Sequence, residues 1–199
     1  CKLVRKLTAA GVMTAVNFTQ ASGRALTDIS KAAKCGELGD LMGVDIIVTY
    51  PQWPRGWQQK ADWLRFSDEG GMTREVISHF IFLSERILGP LKLVWAFTDY
   101  PADRNLCETQ VAARLVNEVG LPVTILGSVG GAQPERQEVT IKGSKISRRI
   151  SEFSSDTVSS GGPFVPTDSI PDDTRATSLK AQLDDLTLLM AGKPNRLAT

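Results

Sequence analysis

The feature that most constrains the fold is a run of five short strand-like segments between residues 91 and 152. Each segment is rich in apolar or β-branched residues, and turns containing Gly or Pro separate several of them. The segments are 91–98, 109–117, 121–128, 138–142 and 146–152. Because short links favour neighbouring strands that run in opposite directions, the run predicts an antiparallel meander.

Helical and strand-like segments lie on both sides of this run. In chain order these are a helix end over 1–10, a buried strand over 12–19, a helix over 24–34, a strand over 44–50, a helix over 72–88 and a final helix over 179–190. The helix over 72–88 has the clearest signal, because apolar residues recur along it at helical spacing. In the final helix, Leu183, Leu186 and Met190 are expected to face inward. Residues 154–173 are rich in Ser, Pro, Gly and Asp, which predicts an exposed loop.

The order of these elements predicts the fold class. Helices and strands in alternation, then a run of strands and then a helix, fit an α+β domain with one open, mostly antiparallel sheet and helices packed on one face. The other face of such a sheet must meet solvent or a partner. A length of 199 residues is enough for one substantial core.

Composition argues against several classes of function. A formal net charge of +1 lacks the basic excess that a nucleic-acid-binding surface needs. No apolar run is long enough for a membrane span, and no signal peptide is visible. His79 is the single histidine, and Cys1, Cys35 and Cys107 are widely separated without a C-x-x-C pair, so no metal site is expected. Scattered cysteines in odd number indicate a reducing, cytoplasmic compartment.

Two local patterns have ordinary structural explanations. Lys145, Arg148 and Arg149 lie on an alternating stretch and are expected to form a solvated strand face. The Gly-Ser-Val-Gly-Gly run over 127–131 leaves a strand and enters a turn that contains Pro, so it cannot place a helix amino end at a phosphate. It predicts a hairpin connection.

Both ends of the sequence fall close to helix-like segments. The chain begins with Cys1 rather than Met, inside an amphipathic pattern in which Leu3, Val4 and Leu7 are apolar, and it ends at Thr199. This pattern is expected of a fragment of a longer protein.

A Glu/His pair on the helix over 72–88 is the first candidate for chemistry. Glu75 lies four residues before His79, so the two side chains are expected to project from adjacent turns on one side. A carboxylate beside an imidazole can orient it and raise its pKa, which suits a general acid/base near neutral pH. By spacing alone, a surface helix pair is the more frequent explanation.

The loop after the second predicted strand is the other candidate. It contains Trp53, Trp57 and Trp63, with Arg55 and Arg65 among them. Aromatic faces and guanidinium groups above a pocket often hold polyhydroxylated ligands. The alternative is that each tryptophan anchors the loop to the sheet, which is the more common role for any one of them.

Several of these segments also carry a family resemblance. Residues 70–83, Gly-Gly-Met-Thr-Arg-Glu-Val-Ile-Ser-His-Phe-Ile-Phe-Leu, followed by Leu-Gly-Pro, resemble a signature stretch of the glucose–fructose oxidoreductase, inositol dehydrogenase and rhizopine-catabolism (Gfo/Idh/MocA) family. There a Gly-Gly turn opens a helix that carries an acid, three residues and a histidine. Residues 10–18, 36–39 and 139–145 resemble further parts of the family in the same order, so the resemblance covers nearly the whole chain.

The resemblance implies a two-domain protein, with an amino-terminal Rossmann domain that binds NAD or NADP and a second domain with a broad open sheet. This chain resembles the second domain alone, without the Rossmann domain. The fold implied for it is similar to that of the C-terminal domain of dihydrodipicolinate reductase. Residues 1–10 would end a linking helix, and residues 11–199 would form the substrate-binding and oligomerisation domain. NAD or NADP would be bound mainly by the missing domain. Subunits would pair through the open sheet face.

The resemblance also implies the site residues. His79 would act as acid/base or orient the substrate hydroxyl during hydride transfer, and Glu75 stands where the family usually has Asp. The substrate would be a sugar, cyclitol or related polyol. The residues expected to contact it are Asn17, Trp57, Trp63, Arg65 and Arg74. The lysine of the family's Glu-Lys-Pro motif has no match here, and residues 19–21 replace an Arg-rich segment that often follows the first strand.

Three hypotheses follow. The first is the substrate-binding and dimerisation domain of an NAD(P)-dependent oxidoreductase, active in full length and inactive as this fragment. The second is a non-catalytic sensor or regulatory protein of the same fold that acts through its sheet surface, motivated by Glu75 and the changed segment 19–21. The third is an independent sheet-mediated interaction module. None of them requires a nucleic-acid or membrane partner.

Overall fold

The computed structural model describes residues 2–167 and 174–198, which form one sheet with flanking helices. The strands are β1 (Leu41–Tyr50), β2 (Leu91–Asp99), β3 (Gln110–Asn117), β4 (Pro122–Val129), β5 (Arg136–Gly143), β6 (Ser147–Ser151), β7 (Ser155–Ser159) and β8 (Val165–Pro166). The α-helices are α1 (Lys2–Ala9), α2 (Arg24–Lys34), α3 (Ser78–Leu88) and α4 (Thr174–Met190). A π-helical turn, Thr73–Ile77, leads directly into α3.

The sheet confirms the predicted fold class and corrects one connection. Its strand order is β2-β3-β4-β1-β5-β6-β7-β8, and every neighbouring pair is antiparallel except β1 with β4. Because β1 lies between β4 and β5, residues 127–131 do not form the predicted hairpin. They cross the end of β1, where the Gly130 amide donates to the Tyr50 carbonyl over 2.9 Å. Short links indicate which strands follow each other, but they do not show which distant strand enters between them.

The core lies between one face of the sheet and the helices α2 and α3. In β1, Val44, Ile46 and Val48 are fully buried, and the residues between them turn to the other face. Their neighbours in the core include Ile29 of α2 and Phe80 of α3. The alternation follows from the two-residue period of a strand, which places successive side chains on opposite faces.

The face of the sheet turned away from the core is open, as expected. Phe97, Ala112 and Leu126 align across β2, β3 and β4 on this face. Phe97 is 59% exposed and Leu126 is 52% exposed. We call this row of three residues the apolar row.

The segment over 12–19 does not form the predicted buried strand. It makes one isolated antiparallel bridge, between Val16 and Ala198, and Val12 and Met13 are exposed. An apolar segment needs a neighbouring strand to pair its backbone and a layer to cover its side chains, and the described residues provide neither here.

The last helix also differs from expectation. Leu183, Leu186 and Met190 are exposed, so their predicted inward orientation is wrong. Among residues 176–190 of α4, the buried one is Asp185, which accepts hydrogen bonds from the Ser22 hydroxyl over 2.6 Å and from Arg196 over 2.9 Å. Two hydrogen-bond donors allow this carboxylate to be buried. A prediction that uses only the apolar residues of a helix cannot identify such a buried polar residue.

Two further expectations need correction. Within the predicted loop over 154–173 the structure has β7 and β8, and residues 168–173 lie outside the described part of the chain. Arg148 is not on a solvated strand face but is buried in an ion pair with Asp156. No helix in the described residues has the length and apolar character needed to cross a membrane.

Candidate functional site

A cavity of about 640 Å³ lies where five parts of the chain meet. Its walls come from the segment that leads into α2, the tryptophan loop after β1, the start of α3, the β6–β7 turn and the first half of α4. The volume is in the range of cavities that enclose small ligands. Both residues of the predicted Glu/His pair line it.

His79 is half-buried in the wall of this cavity. Its Nδ1 lies 3.4 Å from the Thr19 hydroxyl oxygen, and its ring meets the rings of Phe18 and Phe153 edge-on at centroid distances of 5.1 and 5.6 Å. Burial, and secondarily the positive charge of Arg55, lower the pKa of His79 from its ordinary value of 6.5. The imidazole is therefore neutral at pH 7 and able to accept a proton.

Glu75 lines the same cavity but does not pair with His79. Its carboxylate accepts a hydrogen bond from the Gln58 side chain over 3.3 Å and lies 3.9 Å from the Arg55 guanidinium. The expectation that Glu75 raises the pKa of His79 is therefore wrong, because this carboxylate is directed toward a cation and burial dominates at the imidazole. The π-helical turn that carries Glu75 also changes its position relative to α3, and such turns are frequent at functional sites.

The Gly-Gly turn before this helix is required by close packing. A Cβ on Gly70 would lie 2.1 Å from the Leu64 carbonyl oxygen. Gly71 has φ of +101°, and a Cβ there would lie 2.5 Å from the Glu108 carboxylate, which accepts the Thr73 amide hydrogen bond over 2.7 Å. Two glycines let the loop approach Leu64 and Glu108 and so place the start of the helix beside the cavity.

Arg55 is a site residue that sequence reasoning noted but did not select. It is buried, with its guanidinium carbon 5.5 Å from the Tyr50 ring centroid, 5.6 Å from Trp53 and 4.6 Å from Trp57. Its Nε donates to Gln58 over 2.8 Å. The sequence contains one signal for Arg55: a tryptophan two residues before it and another two residues after it. Because guanidinium groups favour aromatic faces, this spacing could have indicated Arg55 as a site residue.

The structure brings together four of the predicted site residues in the cavity lining: Asn17, Trp57, Glu75 and His79. Trp57 is largely exposed, whereas Trp53 anchors the loop by donating its Nε1 hydrogen to the Leu64 carbonyl over 2.9 Å. Trp53 therefore has the structural role, whereas Trp57 stays a candidate for ligand contact.

Three other predicted residues lie outside this lining. Trp63 is exposed, and Arg65 pairs with Asp62 over 3.0 Å on the surface. Arg74 donates to the Gly70 carbonyl over 3.1 Å and so supports the Gly-Gly turn. These residues can contact only a part of a ligand that extends beyond the cavity.

Several lining residues come from distant parts of the sequence that carried no local signal. Glu152 and Phe153 form the β6–β7 turn. Gln182 of α4 donates to the Asn17 side chain over 2.8 Å and fixes that amide at the cavity wall. Nothing in the spacing of these residues relates them to His79.

The described residues contain no group of three His, Cys, Asp or Glu side chains that could hold a metal ion. The thiol of Cys107 is buried, which raises its pKa to about 11 and leaves it protonated and unreactive.

Comparison with known proteins identifies relatives of this fold. Residues 27–148, more than half of the chain, match the family model described as the GFO/IDH/MocA C-terminal domain. No curated protein matches the sequence.

Three solved structures share the fold. WlbA dehydrogenase from Bordetella pertussis, in complex with NADH and UDP-GlcNAcA, has 21% identity and a TM-score of 0.70, with 97% of this chain and 58% of that chain covered. KijD10, a 3-ketoreductase from Actinomadura kijaniata in complex with NADP and TDP-benzene, has 16% identity, a TM-score of 0.74 and coverages of 97% and 59%. A super-repressor mutant of Gal80p from Saccharomyces cerevisiae has 12% identity, a TM-score of 0.76 and coverages of 96% and 55%. This chain therefore spans less than two thirds of the length of these proteins.

Proposed function

Because the chain belongs to the GFO/IDH/MocA family and matches the model of its C-terminal domain, we propose that it is the substrate-binding and oligomerisation domain of an NAD(P)-dependent oxidoreductase. The substrate would be a sugar, cyclitol or related polyol. Residues 1–10 would end a linking helix, and residues 11–199 would form the domain itself. The observation that carries the proposal is a neutral, half-buried His79 in the wall of a ligand-sized cavity. Dehydrogenase and ketoreductase neighbours that bind nicotinamide cofactors support it.

His79 has the position and protonation state of a general base. In the oxidative direction it would take the proton of the substrate hydroxyl. NAD(P), when bound, would supply the acceptor for the hydride from the same carbon. The Thr19 hydroxyl lies at Nδ1, so Nε2 is the nitrogen left for the substrate. The lowered pKa keeps this nitrogen unprotonated at pH 7.

The remaining cavity residues hold and orient the substrate. Asn17 offers amide hydrogen-bonding groups, and the face of Trp57 suits the apolar face of a sugar ring. Glu75 acts through Arg55, because its carboxylate faces that guanidinium and not the imidazole. Trp63, Arg65 and Arg74 would contact a nucleotide or other group that extends from the sugar beyond the cavity.

The cofactor would be held mainly by another domain, and the enzyme would be cytoplasmic. In the described residues no Gly-x-Gly-x-x-Gly loop connects a strand to a helix amino end, which is the usual cradle for a dinucleotide pyrophosphate. The unpaired thiols of Cys35 and Cys107 fit a reducing compartment.

We expect the 199-residue chain to bind neither NADH nor NADPH with micromolar affinity, because it lacks such a cradle in its described part. Isothermal titration calorimetry on this chain tests the expectation, with KijD10 measured in parallel as a positive control. Micromolar binding by the chain alone would contradict the proposed division between two domains.

We also expect the open sheet face to join two subunits. Leu126→Asp places a charge in the apolar row and should weaken self-association about 30-fold or more, as loss of a central contact does at protein interfaces. Sedimentation equilibrium measures this change. Val119→Asp, in the exposed β3–β4 turn, is the matched control and should leave association unchanged. Equal association of both variants and the wild type would argue against an interface on this face.

A second candidate is a sensor or regulatory protein of the same fold. Two observations favour it: the Glu75 carboxylate faces Arg55 and not His79, and the fold is shared with a super-repressor mutant of Gal80p. Such a protein would bind a sugar in the cavity but would not depend on His79 for turnover.

A further inference from the structure

We propose that Glu152 determines which substrates enter the cavity, by accepting a hydrogen bond from a hydroxyl or ammonium group and by repelling sugar acids. The proposal rests on the proposed function, since the same cavity contains His79. It goes further by assigning the chemical class of the substrate: a neutral or amino sugar, or the corresponding cyclitol, rather than a uronic acid.

The backbone at Glu152 is unusual. The turn between β6 and β7 places Glu152 at φ of +50° and Phe153 at φ of +64°, the two non-glycine residues with positive φ in the described chain. The loop contains three residues, 152–154, because Ser151 pairs with Ser155. Two successive turn residues with positive φ favour Asn and Gly, because a Cβ is disfavoured at both positions. Strained residues of this type persist where the surrounding structure enforces them, often at ligand sites.

Contacts with residues beside the cavity hold this turn in place. The Phe153 ring stacks on Phe80 at a centroid distance of 5.1 Å and meets His79 edge-on at 5.6 Å. The Phe153 carbonyl accepts a hydrogen bond from the Gln20 side chain over 2.8 Å. With Phe153 held in this way, Glu152 lines the same cavity as His79.

Glu152 is also the cavity carboxylate without a cation. Asp28 pairs with Arg24 over 3.3 Å, Asp156 pairs with the buried Arg148, and Glu75 faces Arg55. Among the residues whose side chains the structure describes, 2–167 and 176–198, no ion pair or side-chain hydrogen bond engages the Glu152 carboxylate.

The net charge of the cavity lining also disfavours an anionic substrate. The described lining residues include four carboxylates and two guanidinium groups, and Arg148 adds a third guanidinium group through its ion pair with Asp156. With the imidazole neutral, the excess negative charge is the one of Glu152. An ionised carboxylate only accepts hydrogen bonds, so Glu152 can bind a hydroxyl or an ammonium group but not another carboxylate. The cavity therefore disfavours an anionic ring substituent, in contrast to the UDP-GlcNAcA bound by WlbA dehydrogenase.

The test compares three sugars on the 199-residue chain near neutral pH: D-glucosamine, D-glucose and D-glucuronate, each titrated by protein-observed NMR. We expect glucosamine to bind most tightly and glucuronate most weakly. Glu152→Gln keeps the shape of the side chain and should reduce the preference for glucosamine over glucuronate about tenfold, the scale of one charged hydrogen bond. The matched control is Glu118→Gln in the exposed β3–β4 turn, which should bind as the wild type does.

A second variant separates a ligand-binding role from a structural one. Glu152→Asn suits positive φ better than Glu, so it should raise the thermal midpoint by about 2 °C while the preference for glucosamine is lost. A preference for glucuronate in the wild type, or the same selectivity in Glu152→Gln and wild type, overturns the proposal for Glu152 and leaves the cavity as a sugar site. Binding of none of the three sugars overturns both that proposal and the assignment of the cavity as a sugar site.

Discussion

His79→Ala in the full-length protein is expected to lower turnover about 10²- to 10⁴-fold, because it removes the proposed general acid/base. The value of KM should change much less, since Asn17 and Trp57 remain to hold the substrate. Steady-state rates of NAD(P) reduction with polyol substrates measure both quantities. Ser78→Ala, one residue earlier on the same helix, is the matched control, because the Ser78 hydroxyl donates to the Arg74 carbonyl and not into the cavity. Turnover by His79→Ala at the wild-type rate would contradict catalysis and favour the sensor hypothesis.

The pH dependence of the same enzyme gives an independent check on His79. A base must be unprotonated to act, so kcat/KM for oxidation should fall as the pH falls through the pKa of His79, which lies below 6.5. Arg55 contributes to that lowering. Arg55→Gln should therefore raise the pKa of His79 and move the acid limb of the profile to higher pH.

Asp156→Ala is expected to reduce the free energy of unfolding by about 3–5 kcal/mol, because it leaves Arg148 as an unpaired buried cation. The two side chains are only 8% and 9% exposed, and Arg148 Nε donates to the carboxylate over 3.0 Å. Urea unfolding of the 199-residue chain measures the loss.

The matched control for this prediction is a pair on the open face of the same sheet. Lys142 and Asp45 lie 2.8 Å apart but are 38% and 40% exposed, so Asp45→Ala should cost less than about 1 kcal/mol. Replacing both Arg148 and Asp156 with apolar residues of similar volume should recover most of the lost stability. If Asp156→Ala and Asp45→Ala reduced the free energy of unfolding equally, the prediction that the buried ion pair contributes more to stability would be wrong.

Part of the site could be predicted because its residues lie close together in sequence or match a family pattern. Glu75 and His79 share one helix, and Trp57 belongs to a loop whose composition is itself unusual. The direction of the His79 pKa shift could not be predicted in this way. It depends on burial, and the rings of Phe18 and Phe153 that contact His79 come from opposite sides of it in the sequence.

The sequence by itself determined which segments of the β run become strands and that the segment over 72–88 is helical with an apolar stripe. Both follow from local periodicity: two residues per repeat in a strand and 3.6 in a helix. Only the tertiary structure decided that β1 enters between β4 and β5, that Arg148 meets Asp156 and that Glu152 lies in one cavity with His79. Backbone pairing uses groups that every residue carries, so the side-chain pattern shows which face a strand buries but not which strand lies beside it.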